Sequence, residues 1–378
     1  MTGASLYELI EAWQPRYLRA DRKEKTQILD EFVALTGYHR KAAIRVLRKG
    51  RKPVAWDRRG RPRQYTNEVK AALIAVWEAC DRICSKRLQP FLPEIVAALE
   101  RQGELRLPPH TKRRLVKMSA ATIDRLLRTH RPKGRQGRCT TKPGSLLKEK
   151  IPVRTFADWD DARPGFLEMD LVAHCGESAA GEYIHTLNAV DAATGWCEPE
   201  ALPHRSQQAV KEALDRMRER MPFPLLGVDS DNDSAFINHN LVRYCDREGV
   251  TFTRSREYKK NDQAHVEQKN WSVVRRLIGY RRYKSLEALR LLETIYRDWR
   301  LYVNFFQPVR KLPSKERVGC RVRKRYNEAK TPYRRVLASV DVAEAEKGHL
   351  EEIYRTLNPV ALRRRIEENL EKLWGLDE

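Results

Sequence analysis

The chain has 378 residues, 41% of them hydrophobic and 33% charged, with a formal net charge of +23. That length asks for two to four domains, and that composition supports folded cores rather than wholesale disorder. No apolar run of 18 residues or more is present, so no membrane-spanning helix is expected, and the N-terminus MTGASLYELIEAW lacks the basic-then-apolar pattern of a secretory leader.

The charge is unevenly spread. Residues 1–150 carry 35 Lys and Arg against 15 Asp and Glu, residues 151–250 carry 9 against 18, and residues 251–340 carry 24 against 8. Basic blocks on folded segments favour a polyanion through phosphate neutralisation and counterion release. An acidic centre between two such blocks would repel that polyanion unless bound cations neutralise its carboxylates, which points to a metal site. Membrane-surface binding is the weaker alternative, because no basic amphipathic helix with Trp, Phe and Leu along one face stands out. The seven cysteines are scattered without a CxxC pair or a matching His pair, and read as free thiols in a reducing cytoplasm.

In chain order, residues 1–50 predict three helices. Leu6, Leu9, Ile10 and Trp13 repeat at helical spacing in the first. Ile28, Leu29, Phe32 and Val33 do so in a second, over 23–36, which Gly37 ends. A third, over 39–49, has Ala42, Ile44, Val46 and Leu47 as its apolar positions and exposes Arg40, Lys41, Arg45, Arg48 and Lys49. A basic helix after a short Gly turn is the pattern of a helix-turn-helix, so these five side chains are candidate DNA contacts. Residues 51–64 form a basic Pro/Gly linker. A second helical DNA-binding module spans 65–130, with helices over 66–80, 91–102 and 119–129 and with Arg125 and Arg128 as candidate contacts. A second basic linker covers 131–158 and suits the phosphate backbone.

From about residue 159 to 312 the pattern is strand and helix. Strands are expected over 165–175, over 182–202 as two strands joined by the Asp191–Gly195 turn, over 225–231 and over 250–255. Helices are expected over 206–221, 237–249, 262–279 and 285–305, giving an α/β layout with a mixed sheet. Asp170 lies inside the first apolar strand, where a buried carboxylate is costly unless it is paired or binds a metal. Glu168 shares its face by the period of two. Asp231 ends the strand LLGVDSD, and strand C-terminal ends are where α/β sheets place their sites. Asp229 lies two residues earlier, and Asn232 and Asp233 follow. Glu267 lies on a helix, 35 residues intervening after Asp231. Lys259, Lys260, Lys269, Arg275 and Arg276 flank it as candidate phosphate contacts. Residues 313–378 are a basic segment followed by C-terminal helices. Leu362, Ile366, Leu370 and Leu373 line one face there, suited either to burial against the body or to a dimer contact.

Asp170 in LEMDLV, Asp231-Asn232 in SDNDSAF and Glu267 in AHVEQKNW resemble the motif of the retroviral-integrase-like transposases of bacterial insertion sequences. Asn270 resembles that family's helical Asn, and NFFQPVRKL at 304–312 resembles the segment after its core. The resemblance covers about 160–315 and implies a ribonuclease-H-like catalytic core with a mixed five-stranded sheet and flanking helices, preceded by all-α helix-turn-helix modules. It implies Asp170, Asp231 and Glu267 as both catalytic residues and metal ligands, with Asn232, Asp233, Asn270 and Asp229 supporting them. Two Mg²⁺ or Mn²⁺ ions per site would follow, Asp170 touching both. The function implied is that of a DNA transposase that binds the ends of a mobile element and performs cleavage and strand transfer by a 3′-hydroxyl. Its partners would be double-stranded DNA, both element ends and target, and further copies of itself, in a bacterial cytoplasm at the nucleoid. The sequence departs from the family where Asp233 replaces the usual Gly. Nothing matches the His-His-Cys-Cys module of retroviral integrases, so no zinc is expected. Alternatives are a nuclease of the same fold that only hydrolyses, and a non-catalytic DNA-binding regulator.

Overall fold

The computed structural model describes residues 3–49, 64–130, 163–230, 236, 239–254, 266, 269–312, 314–318 and 321–376. Both basic linkers, and the sites expected at Asp231, Asn232, Asp233, Lys259, Lys260 and Glu267, lie outside the described residues.

The chain divides into two compact units, residues 1–64 and 65–378. In the first, α1 (Gly3–Arg19), α2 (Arg22–Thr36) and α3 (Arg40–Lys49) enclose a core of Ile10, Tyr17, Ile28, Leu29, Phe32, Ala43 and Leu47. Asp21 starts α2 with a capping box closed by Glu24, and Gly37, at φ 70°, ends it in the left-handed region. On α3 the buried pair is Ala43 and Leu47, one turn apart, while Ala42, Ile44 and Val46 are half-buried. The apolar face is therefore rotated from the one expected, because i and i+4, rather than alternate residues, share a helix face.

The second helical module belongs to the larger unit. It comprises α4 (Asn67–Ala79), α5 (Ser85–Arg101), α6 (Pro109–Val116) and α7 (Ala120–Leu127). Helix α5 begins six residues before the expected start. Pro90 and Pro93 lie within it, and proline's lost N–H and ring clash make it read as a boundary. Helix α6 went unseen behind Pro108 and Pro109, the second of which occupies a first-turn position where proline is tolerated.

The sheet has β1 (Phe166–Ala173), β2 (His185–Asp191), β3 (Cys197–Leu202), β4 (Gly227–Ser230) and β5 (Thr251–Arg254) in the order β3-β2-β1-β4-β5. The pairs β1/β2 and β2/β3 are antiparallel, and β1/β4 and β4/β5 are parallel. Helices α8 (Gln207–Arg220) and α9 (His239–Glu248) make the crossovers to β4 and β5. This is the ribonuclease-H-like arrangement the resemblance implied. A helical segment α10 follows, with π-turns over Asn270–Arg275 and α-turns over Arg276–Ile278, and then α11 (Leu286–Phe306).

The edge strand β3 is closed by a side chain. Asn304 of α11 accepts the Cys197 N–H at 2.9 Å and donates to the Cys197 carbonyl at 2.9 Å, as a neighbouring strand would. Glu198 and Glu200 point charge into this edge, and Arg300, Arg220 and Arg216 answer it from α11 and α8.

Beyond α11 an antiparallel hairpin, β6 (Ser314–Val318) and β7 (Arg321–Arg325), occupies part of the basic segment for which no strand was expected. Helices α12 (Pro332–Ala338), α13 (Glu344–Thr356) and α14 (Pro359–Trp374) complete the chain. Leu362, Ile366, Leu370 and Leu373 are buried, packed with α11 in one core, so this face is used within the chain and is not offered to a second copy.

Candidate active site

Parallel pairing sets the geometry. Glu168 of β1 lies opposite Asp229 of β4, and Met169 opposite Ser230, so Asp170 comes next along β1 as β4 finishes. Asp170 therefore lies beside the C-terminal end of β4, and the C-terminal ends of strands are where open α/β sheets bind ligands. On the other side Asp170 is in register with Asn188 of β2.

Asp170 is half-buried. Its Oδ1 accepts the Leu171 N–H at 2.8 Å, and its Oδ2 accepts the Asn270 Nδ2 at 2.5 Å. Asn270 opens the π-turns of α10, and π-bulges are frequent at functional sites. The Asn270 Oδ1 in turn accepts Nδ2 of Asn188 at 2.8 Å, and Oδ1 of Asn188 accepts the Cys197 thiol at 3.1 Å. Asn188 and Cys197 are fully buried. Neither was singled out from sequence. The available signal was a lone Asn in the apolar run of β2, a polar group that must find partners once buried.

The neighbouring acids have their own tasks. Glu168, 1% exposed, accepts the N–H of Val266, the residue before Glu267. Asp229, fully buried, accepts the Thr253 hydroxyl at 2.7 Å and so ties β4 to β5. Asp191 shows that an acid in a strand can be purely structural. It holds Gly165 N–H at 2.8 Å and the Thr194 N–H and hydroxyl at 2.6 Å each, fixing the turn between β2 and β3. Burial pushes the Asp191 carboxyl up, against those hydrogen bonds.

One candidate phosphate contact needs correction, and a second is paired within the chain. Lys269 is buried, and burial, aided by the charge of Arg87, holds its ammonium below the usual lysine range, so it is no surface phosphate contact. Arg276 is exposed but committed: it pairs with Asp81 at 3.0 Å. Arg275 is half-buried, its guanidinium 4.9 Å from the exposed Tyr280 ring. Arg125 and Arg128 on and beside α7 are exposed, as are Lys41, Arg45, Arg48 and Lys49 on α3; Arg40, also exposed, pairs with Asp30.

The donor set suits a hard cation. Asp170 offers carboxylate oxygens, and the groups bonded to them are amides, with no sulfur or imidazole donor. His174, near the end of β1, is no competing ligand: it is buried, its Nε2 lies 2.7 Å from the Thr186 hydroxyl, and burial pushes its pKa down to about 3. Among the described residues no group of three His, Cys, Asp or Glu side chains is assembled, and two of the three expected carboxylates lie outside them.

The family model described as the integrase core domain matches residues 160–260, which hold all five strands of the sheet. The chain is 48% identical over 333 residues to the uncharacterized protein y4rM of Sinorhizobium fredii (strain NBRC 101917 / NGR234), covering 88% of this chain and 95% of that one. It belongs to the same family as that protein, and it carries an integrase core domain over residues 160–260. Among solved structures, the catalytic core domain of BIV integrase aligns with 45% of this chain and 91% of its own, at 20% identity and a TM-score of 0.31. An integrase core supports a transposase-type polynucleotidyl transferase with DNA as its substrate, and such cores generally use divalent metal ions. Among the described residues no helix is long and apolar enough to cross a membrane.

Proposed function

We propose that this protein is a DNA transposase that binds the ends of a mobile element, cleaves there, and joins the freed 3′-hydroxyl to target DNA. The observation that carries the reading is Asp170. A half-exposed carboxylate stands inside a strand of an integrase core, held by Asn270 from the helical segment that follows Glu267 in sequence. Asp170, Asp231 and Glu267 would hold two Mg²⁺ or Mn²⁺ ions, with Asn232, Asp233 and Asp229 as supporting groups. When bound, such ions activate the attacking oxygen and take up charge on the leaving one. Asn270 fixes one Asp170 oxygen and the Leu171 N–H the other, so the carboxylate is oriented before DNA arrives. Glu168 holds the Val266 N–H at 3.1 Å. Attack by water nicks the strand, and attack by a 3′-hydroxyl in the same site joins strands, with no covalent enzyme intermediate.

The end-binding role falls to the two helical modules, through Arg40, Lys41, Arg45, Arg48 and Lys49 on α3 and through Arg125 and Arg128 near α7. Lys259, Lys260 and Arg275 would grip phosphate nearer the chemistry. Joining two ends calls for more than one copy on the DNA, so a homo-oligomer assembled on nucleoid DNA in a bacterial cytoplasm is part of the proposal.

The test uses full-length protein and a duplex bearing the element's terminal repeats, with Mg²⁺ or with chelator, for the wild type and Glu267→Gln. Metal-dependent joining that the substitution abolishes supports the transposase. Nicking without joining would move the assignment to a hydrolytic nuclease. Specific binding without chemistry in either protein would leave a regulator.

A further inference from the structure

We propose that Asn188 is a positioning residue of the carboxylate site. Polarised by the Cys197 thiol, it holds the Asn270 amide so that the NH₂, not the carbonyl, faces Asp170. This inference rests on the metal-site reading above and adds Asn188 and Cys197, which that reading does not use.

The argument is one of hydrogen-bond direction. A primary amide presents a donor at one end and an acceptor at the other, and its two orientations have nearly the same shape. If Asn270 turned over, its carbonyl oxygen would meet the Asp170 carboxylate, acceptor against acceptor. It is kept from turning because its Oδ1 already accepts Nδ2 of Asn188 at 2.8 Å. Asn188 has the same ambiguity. The acceptor-only Asp170 carboxylate fixes the sense of the relay, and the Cys197 thiol, 3.1 Å from the Asn188 Oδ1, satisfies that oxygen in the orientation that leaves Nδ2 for Asn270. The chain of donors therefore runs one way, Cys197 to Asn188 to Asn270 to Asp170, across strands β3, β2 and β1 and helical segment α10.

Three features make this more than a list of contacts. Asn188 is fully buried and in register with Asp170, so the relay is built into the sheet and not into a loop. Both ends of its amide are engaged, so neither orientation is idle. Burial pushes the Cys197 thiol up to about 12, so its proton is present throughout the working range of the protein. Groups behind a metal's ligands orient them, and losing such a group typically costs about 10- to 100-fold in metal affinity.

The experiment measures Mn²⁺ binding to the full-length protein from the electron paramagnetic resonance signal of free Mn²⁺, without DNA or turnover. Asn188→Leu has nearly the same size and lacks both hydrogen bonds. Its Mn²⁺ dissociation constant should rise about 10-fold or more, while binding of terminal-repeat duplex in chelator stays as in the wild type. Cys197→Ala should weaken Mn²⁺ binding by only about threefold, because a thiol is a weak donor. Cys197→Ser, which keeps a donor, should return it towards wild type. A folded Asn188→Leu that binds Mn²⁺ within about twofold of the wild type overturns the proposal. Should Asn188→Leu fail to fold, the Cys197 pair decides: equal affinities for Cys197→Ala and Cys197→Ser overturn it. A wild type that binds no Mn²⁺ removes the metal-site reading itself, and the relay falls with it.

Discussion

Replacing Asp81 with Asn should destabilise the larger unit by about 2 kcal/mol. Asp81 sits in the turn between α4 and α5, where both it and Arg82 have φ of 55°. That turn is held on every side. Tyr302 donates to the Ala79 carbonyl at 2.7 Å, Gln307 to the Cys80 carbonyl at 2.9 Å, and Arg276 to the Asp81 carbonyl at 3.1 Å. The carboxylate pairs with Arg276 at 3.0 Å and with Arg363 at 3.3 Å. Breaking a buried pair costs about 3–5 kcal/mol and breaking an exposed one about 0.2–1. This site lies between, since the Asp81 side chain is 17% exposed but Arg276 is 40% exposed. Burial raises the carboxyl pKa and outweighs the pull of Arg363, Arg276 and Arg82, so the loss in Asp81→Asn comes from leaving Arg276 and Arg363 without their partner. Asn tolerates the left-handed region, which confines the loss to charge, whereas Asp81→Ala should add about 1 kcal/mol of backbone cost. The assay is urea unfolding of the full-length protein followed by tryptophan fluorescence, with Arg276→Gln and the double variant closing the cycle. The double should lose less than the sum of the singles. An Asp81→Asn protein within about 0.5 kcal/mol of the wild type, the range of ordinary surface changes, would refute the reasoning.

Further predictions come from other parts of the fold. His174 is neutral in the folded state, with its pKa lowered to about 3, and unfolded it titrates near 6.5. The unfolded chain thus takes up the extra proton first, so this contribution is complete above pH about 6.5 and is lost as pH falls towards 3, with a slope of up to about 1.4 kcal/mol per unit. Stability measured against pH should show a shallower acid slope in His174→Gln, and an unchanged slope would contradict the assignment. Asn304→Leu removes both hydrogen bonds that close the edge at Cys197 and should cost about 2–3 kcal/mol in denaturant unfolding; a loss under about 0.5 would mean that water serves the edge equally well. Arg125→Ala together with Arg128→Ala should lower the salt dependence of DNA binding by about two units of slope if each meets a phosphate. An unchanged slope would take α7 out of the DNA contact.

The sheet was legible because its strands are apolar runs cut by turn residues: LLGV before Asp229, and the Asp191–Gly195 turn whose Gly195 adopts φ 75°. Helix α14 was equally legible from Leu362, Ile366, Leu370 and Leu373, and its burial settles which of the two uses of that face holds. The hairpin over Ser314–Arg325 was hidden because Lys and Arg fill positions on both strands, which erases the alternation of apolar and polar residues. Helices α5 and α6 were obscured by prolines that the surrounding packing tolerates. At the site, Asp170 and Asn270 were each nameable alone, but the relay through Asn188 and Cys197 links residues up to 100 positions apart and depends on strand register. The burial of Lys269 has the same origin: its neighbours Cys197 and Arg87 come from a distant strand and a distant helix, which no local pattern reports.

The most direct test of the central claim is strand joining by Asp170→Asn. In full-length protein given Mg²⁺ and a duplex with the element's terminal repeats, the wild type should yield covalently joined product. Asp170→Asn should bind the same duplex with unchanged affinity and yield none above the chelator control. Full joining by Asp170→Asn would contradict the account, since the carboxylate at the centre of β1 would then have no part in the chemistry.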